Sequence, residues 1–141
     1  MTLKPKLLLG ICGSIAAYKA ADLCRRLMEA GFDVYPVLTD GARRFVTPEL
    51  FESLSHHPIP SDLHAEPLWH TDMGMAFDVC VIAPASANTM ARLAAGMADD
   101  LLLATLLVSK APKVIVPAMN TGMWQNPLTQ GNLERLVGLD Y

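Results

Sequence analysis

Four short apolar runs alternate along this chain with segments whose apolar residues recur at helical spacing. Each run is continuously apolar and is followed by turn-forming residues, which is typical of a strand buried on both faces of a parallel sheet. Strands that alternate with helices predict an α/β fold with a doubly wound, mostly parallel sheet. This is the architecture of Rossmann- and flavodoxin-like three-layer sandwiches. The predicted strands cover residues 7–12, 32–38, 79–83 and 113–116.

The segments between the strands carry helix start and stop signals. Ser14 is a candidate N-cap for an amphipathic helix over residues 15–30, which Gly31 ends. Thr47 followed by proline opens another helix. Apolar residues occupy all sides of the segment 101–108, so we expect it to be buried or to lie at a subunit interface. Further helices are predicted over residues 41–46, 88–96, 99–109 and 126–137, and a loop over 56–70.

Composition limits the class of protein. The 141 residues predict one domain, 52% of them are apolar, and 18% are charged, which excludes a disordered chain. The net charge of −3 and the lack of a basic patch give no reason to expect nucleic acid as a partner. Glycines interrupt the apolar run near the N-terminus, so it is a poor secretory signal. No uncharged helical segment approaches the ~20 residues of a membrane span. Three widely spaced cysteines fit a reducing compartment, so we expect a cytoplasmic protein.

The loop after the first strand has the properties of an anion-binding turn. Gly13 permits close approach of a ligand to the backbone, and the helix that opens at Ser14 directs free N–H groups at it. The loop matches neither the dinucleotide fingerprint nor the P-loop, and its length suits a single phosphate. An ordinary strand-to-helix turn would have a similar sequence.

A stronger signal comes from two similar strand exits. The third strand leads into Pro-Ala-Ser-Ala-Asn-Thr at 84–89, and the fourth into Pro-Ala-Met-Asn at 117–120. Both exits lie at the carboxyl edge of a parallel sheet, where ligands bind. Asn88 and Asn120 each offer amide donors and an acceptor for a ring edge or a carboxylate. Helix capping is the alternative role, especially for Asn88.

The four histidines lack the i,i+4 helical spacing of a metal pair, so no metal site is predicted. The longer motifs resemble the flavin-containing cysteine decarboxylases, and the resemblance runs from about Leu7 to the C-terminus. It is greatest to the members that act on phosphopantothenoylcysteine in coenzyme A biosynthesis. The motifs that carry it are Gly-Ser-Ile-Ala-Ala-Tyr-Lys at 13–19, the two strand exits extended to Trp124, Gly-Met-Ala-Asp-Asp-Leu-Leu at 96–102, and Asn126-Pro127.

The resemblance implies FMN as cofactor and decarboxylation of a small cysteinyl substrate. His70 would be the acid/base and Asn120 would hold the substrate carboxylate, although Thr71 replaces the aliphatic residue usual after the histidine. The family forms homotrimers, sometimes grouped into dodecamers, with flavin sites at subunit contacts, and we expect the same here. The residues implied in cofactor binding are Gly13, Ser14, Ile15, Thr39, Asp40, Ser86, Ala87, Asn88, Thr89, Ala118 and Met119.

The family's flap, with its catalytic cysteine, would follow Tyr141. None of the three cysteines matches it, so we expect this chain to release CO₂ once per flavin and to accumulate an enethiol. Three alternatives stay open: a peptidyl-cysteine decarboxylase of lantibiotic synthesis, a flavin prenyltransferase and a non-catalytic flavin-binding subunit. The second strand exit, with its Asn120, argues against the prenyltransferase.

Overall fold

The computed structural model describes residues 2–141 and contains one four-stranded sheet. All neighbouring strands pair in parallel, in the order β2-β1-β3-β4. This arrangement confirms the predicted parallel α/β architecture. All four predicted strands are present, and no strand end differs from its predicted position by more than two residues. The strands are β1 Lys6–Ile11, β2 Asp33–Leu38, β3 Val79–Ala85 and β4 Lys113–Pro117.

Within the described residues, seven α-helices connect or follow the strands. Several begin at side-chain caps that the sequence indicates, including Thr47 before α2 and Asn126 before α7. Pro follows both caps at the first helical position, where its missing N–H costs nothing. The helices are α1 Lys19–Glu29, α2 Pro48–Ser55, α3 Trp69–Ala76, α4 Ala87–Ala94, α5 Leu101–Val108, α6 Thr121–Gln125 and α7 Pro127–Val137.

Side chains of β1 alternate between two separate hydrophobic clusters, one on each face of the sheet. Leu7 and Leu9 pack with residues of α1 and α2, whereas Leu8 packs with residues of α4, α5 and α7. This alternation follows from the two-residue period of a strand. The sheet is therefore the middle layer of three, as the pattern predicts.

Close approach of α5 to the sheet depends on a glycine. A Cβ placed on Gly10 of β1 would lie 2.7 Å from Cδ1 of Leu102. The apolar segment of α5 is buried over most of its length, although Leu107 is exposed. Its all-round apolar character thus reflects burial in the helical layer, with one side chain left facing outward.

Four local differences separate the observed elements from the predicted ones. The helix predicted over residues 41–46 is a 3-10 turn over Ala42–Arg44. The segment after Ser14 begins as a 3-10 turn over Ile15–Tyr18 and becomes α-helical only at Lys19. Helix α3 starts inside the predicted loop, and α6 was not predicted because five residues are too few to show periodicity. Among residues 2–141, none of the helices combines the length and the hydrophobicity that a membrane span requires.

Candidate functional site

Two adjoining cavities open at the carboxyl edge of the sheet, where the loops after all four strands meet. We call them the acidic cavity, about 530 Å³, and the uncharged cavity, about 590 Å³. Both volumes lie within the range of about 300–1,000 Å³ typical of ligand pockets. The two cavities share Gly13, Ser86, Ala87 and Met123 in their linings, so one elongated ligand can occupy both.

The linings contain every residue predicted to bind the cofactor, together with Asn120. The acidic cavity is lined by Gly13, Thr39, Asp40, Gly41, Ser86, Ala87, Asn88, Thr89, Arg92, Asp99, Asp100 and Met123. The uncharged cavity is lined by Gly13, Ser14, Ile15, Ala16, Ser86, Ala87, Ala118, Met119, Asn120 and Met123. The loops that follow all four strands therefore form one continuous site.

A contact between two glycines shapes the wall of the acidic cavity. A Cβ on Gly13 would lie 2.9 Å from the backbone of Gly41, and a Cβ on Gly41 would lie 3.2 Å from Cα of Gly13. The loops after β1 and β2 can approach this closely only because neither residue has a side chain. Nothing in the sequence marks Gly41 as a site residue, because a glycine in a turn needs no further explanation.

Helix α4 begins at the boundary of the two cavities. The Ser86 hydroxyl accepts a hydrogen bond from the amide of Thr89 at 3.1 Å, so Ser86 is the N-cap and Asn88 is not. The amides of Ala87 and Asn88 have no carbonyl partner within the helix. They are donors for an acceptor or an anion at the cavity boundary, and the helix dipole favours negative charge there.

Asn120 is oriented by the helix it precedes. Its Oδ1 accepts a hydrogen bond from the amide of Gly122 at 2.8 Å, which caps α6. With Oδ1 engaged in this bond, the side chain retains two N–H donors on Nδ2 for a ligand. An amide held in this way favours a carboxylate or a carbonyl over a donor group.

Three of the charged side chains that line the acidic cavity form one hydrogen-bonded cluster. Arg92 donates a hydrogen bond to Asp100 at 3.2 Å and a second one to Asp99. Asp100 also caps α5, because its Oδ1 accepts the amide of Leu103 at 2.7 Å. Arg92 follows Asn88 by one helical turn, which is the one sequence signal that could have placed it at the site.

The structure places His70 apart from these residues. His70 is the second residue of α3, and it is not among the residues that line either cavity. Its Nδ1 is buried and has no hydrogen-bond partner among the described residues. Helix α3 packs against α5 through Gly74, where a Cβ would lie 3.1 Å from the carbonyl oxygen of Thr105.

All three cysteines are buried and free. Burial raises the pKa of the Cys12 thiol, and the opposing hydrogen bonds from Thr89 and the Ser86 backbone do not reverse the effect. Burial also raises the pKa of Cys24 to about 11, and it raises that of Cys80. These neutral thiols are core residues. Residues 2–141 contain no group of three or more side chains able to hold a metal ion.

The model of the protein family described as Flavoprotein matches residues 1–140. The chain belongs to the flavoprotein family. The coenzyme A biosynthesis bifunctional protein CoaBC of Vibrio cholerae is 43% identical over 141 residues, which cover 96% of this flavoprotein and 35% of the relative. The flavoprotein thus spans about a third of the length of CoaBC. A probable phosphopantothenoylcysteine decarboxylase of Streptococcus mutans is 41% identical, with 96% and 79% covered.

Solved structures with the same fold include an FMN-dependent cysteine decarboxylase and a PPC decarboxylase. The FMN-dependent cysteine decarboxylase SpaF superimposes with a TM-score of 0.91 at 35% identity and covers 97% of this flavoprotein and 81% of its own chain. A PPC decarboxylase complexed with pantothenoylaminoethenethiol superimposes with a TM-score of 0.81 at 31% identity, with 97% and 79% covered. These neighbours confirm the fold and the family that the sequence motifs indicate.

Proposed function

We propose that this flavoprotein is an FMN-dependent lyase that decarboxylates the cysteinyl group of 4′-phosphopantothenoylcysteine. The observation that carries the proposal is the continuous site formed by the two cavities. Its lining combines the loop after β1, the N-terminus of α4 and the loop after β4 that contains Asn120. The relatives named for coenzyme A biosynthesis and for phosphopantothenoylcysteine decarboxylation support the same activity.

The residues present suit FMN. The uncharged cavity has apolar and small side chains for a planar ring, among them Ile15, Ala118 and Met119. Gly13 and the free amides of α4 offer backbone donors to a phosphate at the boundary with the acidic cavity. When bound, FMN supplies the hydride acceptor for oxidation of the cysteinyl side chain. Purified protein should take up FMN at micromolar concentration and should bind NAD much more weakly.

Asn120 has the proposed role of holding the substrate carboxylate. The Nδ2 donors are left for the ligand because Oδ1 caps α6. A carboxylate held by neutral donors is poorly stabilised compared with one beside an arginine, which favours its departure as CO₂ once the adjacent carbon can accept the electron pair. The asparagine thus orients the substrate carboxylate without stabilising it strongly enough to prevent its loss as CO₂.

Two matched substitutions test this role. Asn120→Asp keeps an oxygen that can cap α6 but replaces the Nδ2 donors by a second acceptor, which repels the substrate. Asn126→Asp makes the same change at the α7 cap, where Oδ1 accepts from Leu128 at 2.9 Å outside both cavities. We expect Asn120→Asp to bind FMN yet abolish anaerobic flavin reduction by substrate, and Asn126→Asp to behave as wild type. Equal reduction rates in the two variants would contradict the assignment.

His70 is proposed to act as acid/base on a substrate bound by another copy of the chain. An imidazole can both donate and accept a proton, and the buried Nδ1 of His70 lacks a hydrogen-bond partner among the residues that the structure describes. Leu68 and Met75 on either side of His70 are 64% and 67% exposed, and Leu107 on the packed helix α5 is 60% exposed. Such apolar side chains mark an interaction surface. A homotrimer, or a multiple of it, would cover this surface and bring His70 to a neighbouring site.

Complementation between inactive variants tests the shared site. His70→Asn and Asn120→Asp should each be inactive alone and should each retain FMN. If one site takes His70 and Asn120 from different copies, mixed oligomers formed after dissociation and reassembly contain some intact sites and regain activity. A mixture that stays inactive, with exchange of subunits shown by mass spectrometry, would contradict the proposal. A monomer by light scattering would do so as well.

A peptide substrate is the second candidate. The similarity to SpaF, at 35% identity, supports cysteine decarboxylation without specifying the group attached to the cysteine. Flavin reduction should therefore be compared between 4′-phosphopantothenoylcysteine and a peptide with a C-terminal cysteine. We expect the small phosphorylated substrate to react at the lower concentration. We also place the reaction in the cytoplasm, for which the three free cysteines give support.

A further inference from the structure

The two cavities differ sharply in charge. Three carboxylates and one guanidinium line the acidic cavity, from Asp40, Asp99, Asp100 and Arg92. No charged side chain lines the uncharged cavity. A ligand that spans both therefore meets a wall of net negative charge at one end. A phosphorylated ligand is repelled by this wall unless its charge is offset.

Arg92 is the side chain that partly neutralises the negative charge of this wall. Its side chain is 23% exposed, and its two terminal nitrogens bond to Asp99 and Asp100. Because both of these nitrogens are engaged, Arg92 acts by neutralising its neighbours more than by binding a ligand directly. Without it, all three carboxylates would line the cavity with no cation among the lining residues.

We propose that Arg92 determines the preference of this site for a phosphorylated flavin over the same flavin without its phosphate. The inference rests on the proposed binding of FMN and extends it. The Arg92 charge lowers the repulsion that Asp99 and Asp100 exert on a phosphate dianion. A neutral flavin does not experience that repulsion. Arg92 is thus a specificity-determining residue, although it donates its terminal hydrogen bonds to the protein itself.

A comparison of FMN with riboflavin separates an electrostatic effect of Arg92 from a structural one, because only FMN carries a phosphate. At a distance of roughly 10 Å and an effective dielectric constant of about 50, between the values for a protein surface and for bulk water, loss of one positive charge weakens the binding of a dianion about tenfold. We expect Arg92→Gln to weaken FMN binding about tenfold by fluorescence titration and riboflavin binding by less than about twofold. The FMN effect should shrink at high salt, because the interaction is screened.

Arg135→Gln is the matched control. It removes the same charge from the chain and breaks a hydrogen bond to the carbonyl of Ala94 on α4, at 2.7 Å, but Arg135 lines neither cavity. This variant should bind both flavins like the wild type. Equal weakening of FMN and riboflavin in Arg92→Gln would show a structural role only and would overturn the proposal.

Charge rescue gives an independent test. The double variant Arg92→Gln/Asp99→Asn restores the net charge of the cavity wall but leaves the hydrogen bonds of Arg92 broken. We expect the ratio of FMN affinity to riboflavin affinity in the double variant to return most of the way to the wild-type value. A ratio as low as that of Arg92→Gln would contradict the electrostatic account. Asp99 is chosen because Asp100 also caps α5. Wild-type protein that binds neither flavin would instead refute the proposed function.

Discussion

Replacing Gly13 by alanine should disturb the fold and the site together. The new Cβ would lie 2.9 Å from both Cα and the carbonyl carbon of Gly41, which are backbone atoms that cannot rotate away. Overpacking of this kind costs about 1–3 kcal/mol. For a chain of 141 residues we expect the melting temperature to fall by roughly 3–10 °C. Separation of the two loops should also weaken FMN binding, because Gly13 lines both cavities.

Two other glycines calibrate this expectation. Gly41→Ala meets its nearest atom at 3.2 Å and should therefore be milder than Gly13→Ala. Gly131 lies within α7 with no atom near its missing Cβ, so Gly131→Ala should stabilise the protein by about 0.5–1 kcal/mol. Thermal denaturation and FMN titration of the three variants would test the series. Stability and FMN affinity of Gly13→Ala equal to those of the wild type would refute the packing argument.

Two further predictions concern stability away from the site. Partial burial raises the pKa of the Asp33 carboxyl. Hydrogen bonds from His57, at 2.6 Å, and from Tyr35, together with nearby positive charge, lower it by more, so the pKa of Asp33 lies below its usual value. This carboxylate stabilises the fold above about pH 4 and loses that effect as the pH falls through its lowered pKa. Asp33→Asn should therefore be less stable than wild type at pH 7, with a difference that vanishes on acidification in urea titrations. Leu102→Ala should cost about 2–5 kcal/mol in the same assay, and adding Gly10→Ala should recover part of the loss by filling the cavity.

The sequence predicted the strands and the strand exits well because both depend on short-range patterns. A buried parallel strand needs a continuous apolar run, and the run in β3 is followed directly by Ser86, which both caps α4 and lines the cavities. A short-range pattern, asparagine followed by proline, likewise predicted that Asn126 precedes α7. Where one residue determines both the local structure and the site, the sequence contains enough information to find it.

Other parts of the site depend on tertiary contacts that no local pattern reveals. Gly41 matters because the loop after β1 packs on it, and Arg92 matters because Asp99 and Asp100 fold back onto α4. Neither relationship is visible in the spacing of residues along the chain. The position of His70 on α3, away from both cavities, likewise depends on how the chain crosses from one face of the sheet to the other.

Release of carbon dioxide from substrate labelled at the cysteinyl carboxyl group tests the central claim most directly. The FMN-loaded protein should release labelled CO₂ from 4′-phosphopantothenoylcysteine under anaerobic conditions, with concurrent loss of flavin absorbance, and Asn120→Asp should release none. Protein that binds FMN but yields no labelled CO₂, from either this substrate or a peptide ending in cysteine, would contradict the account.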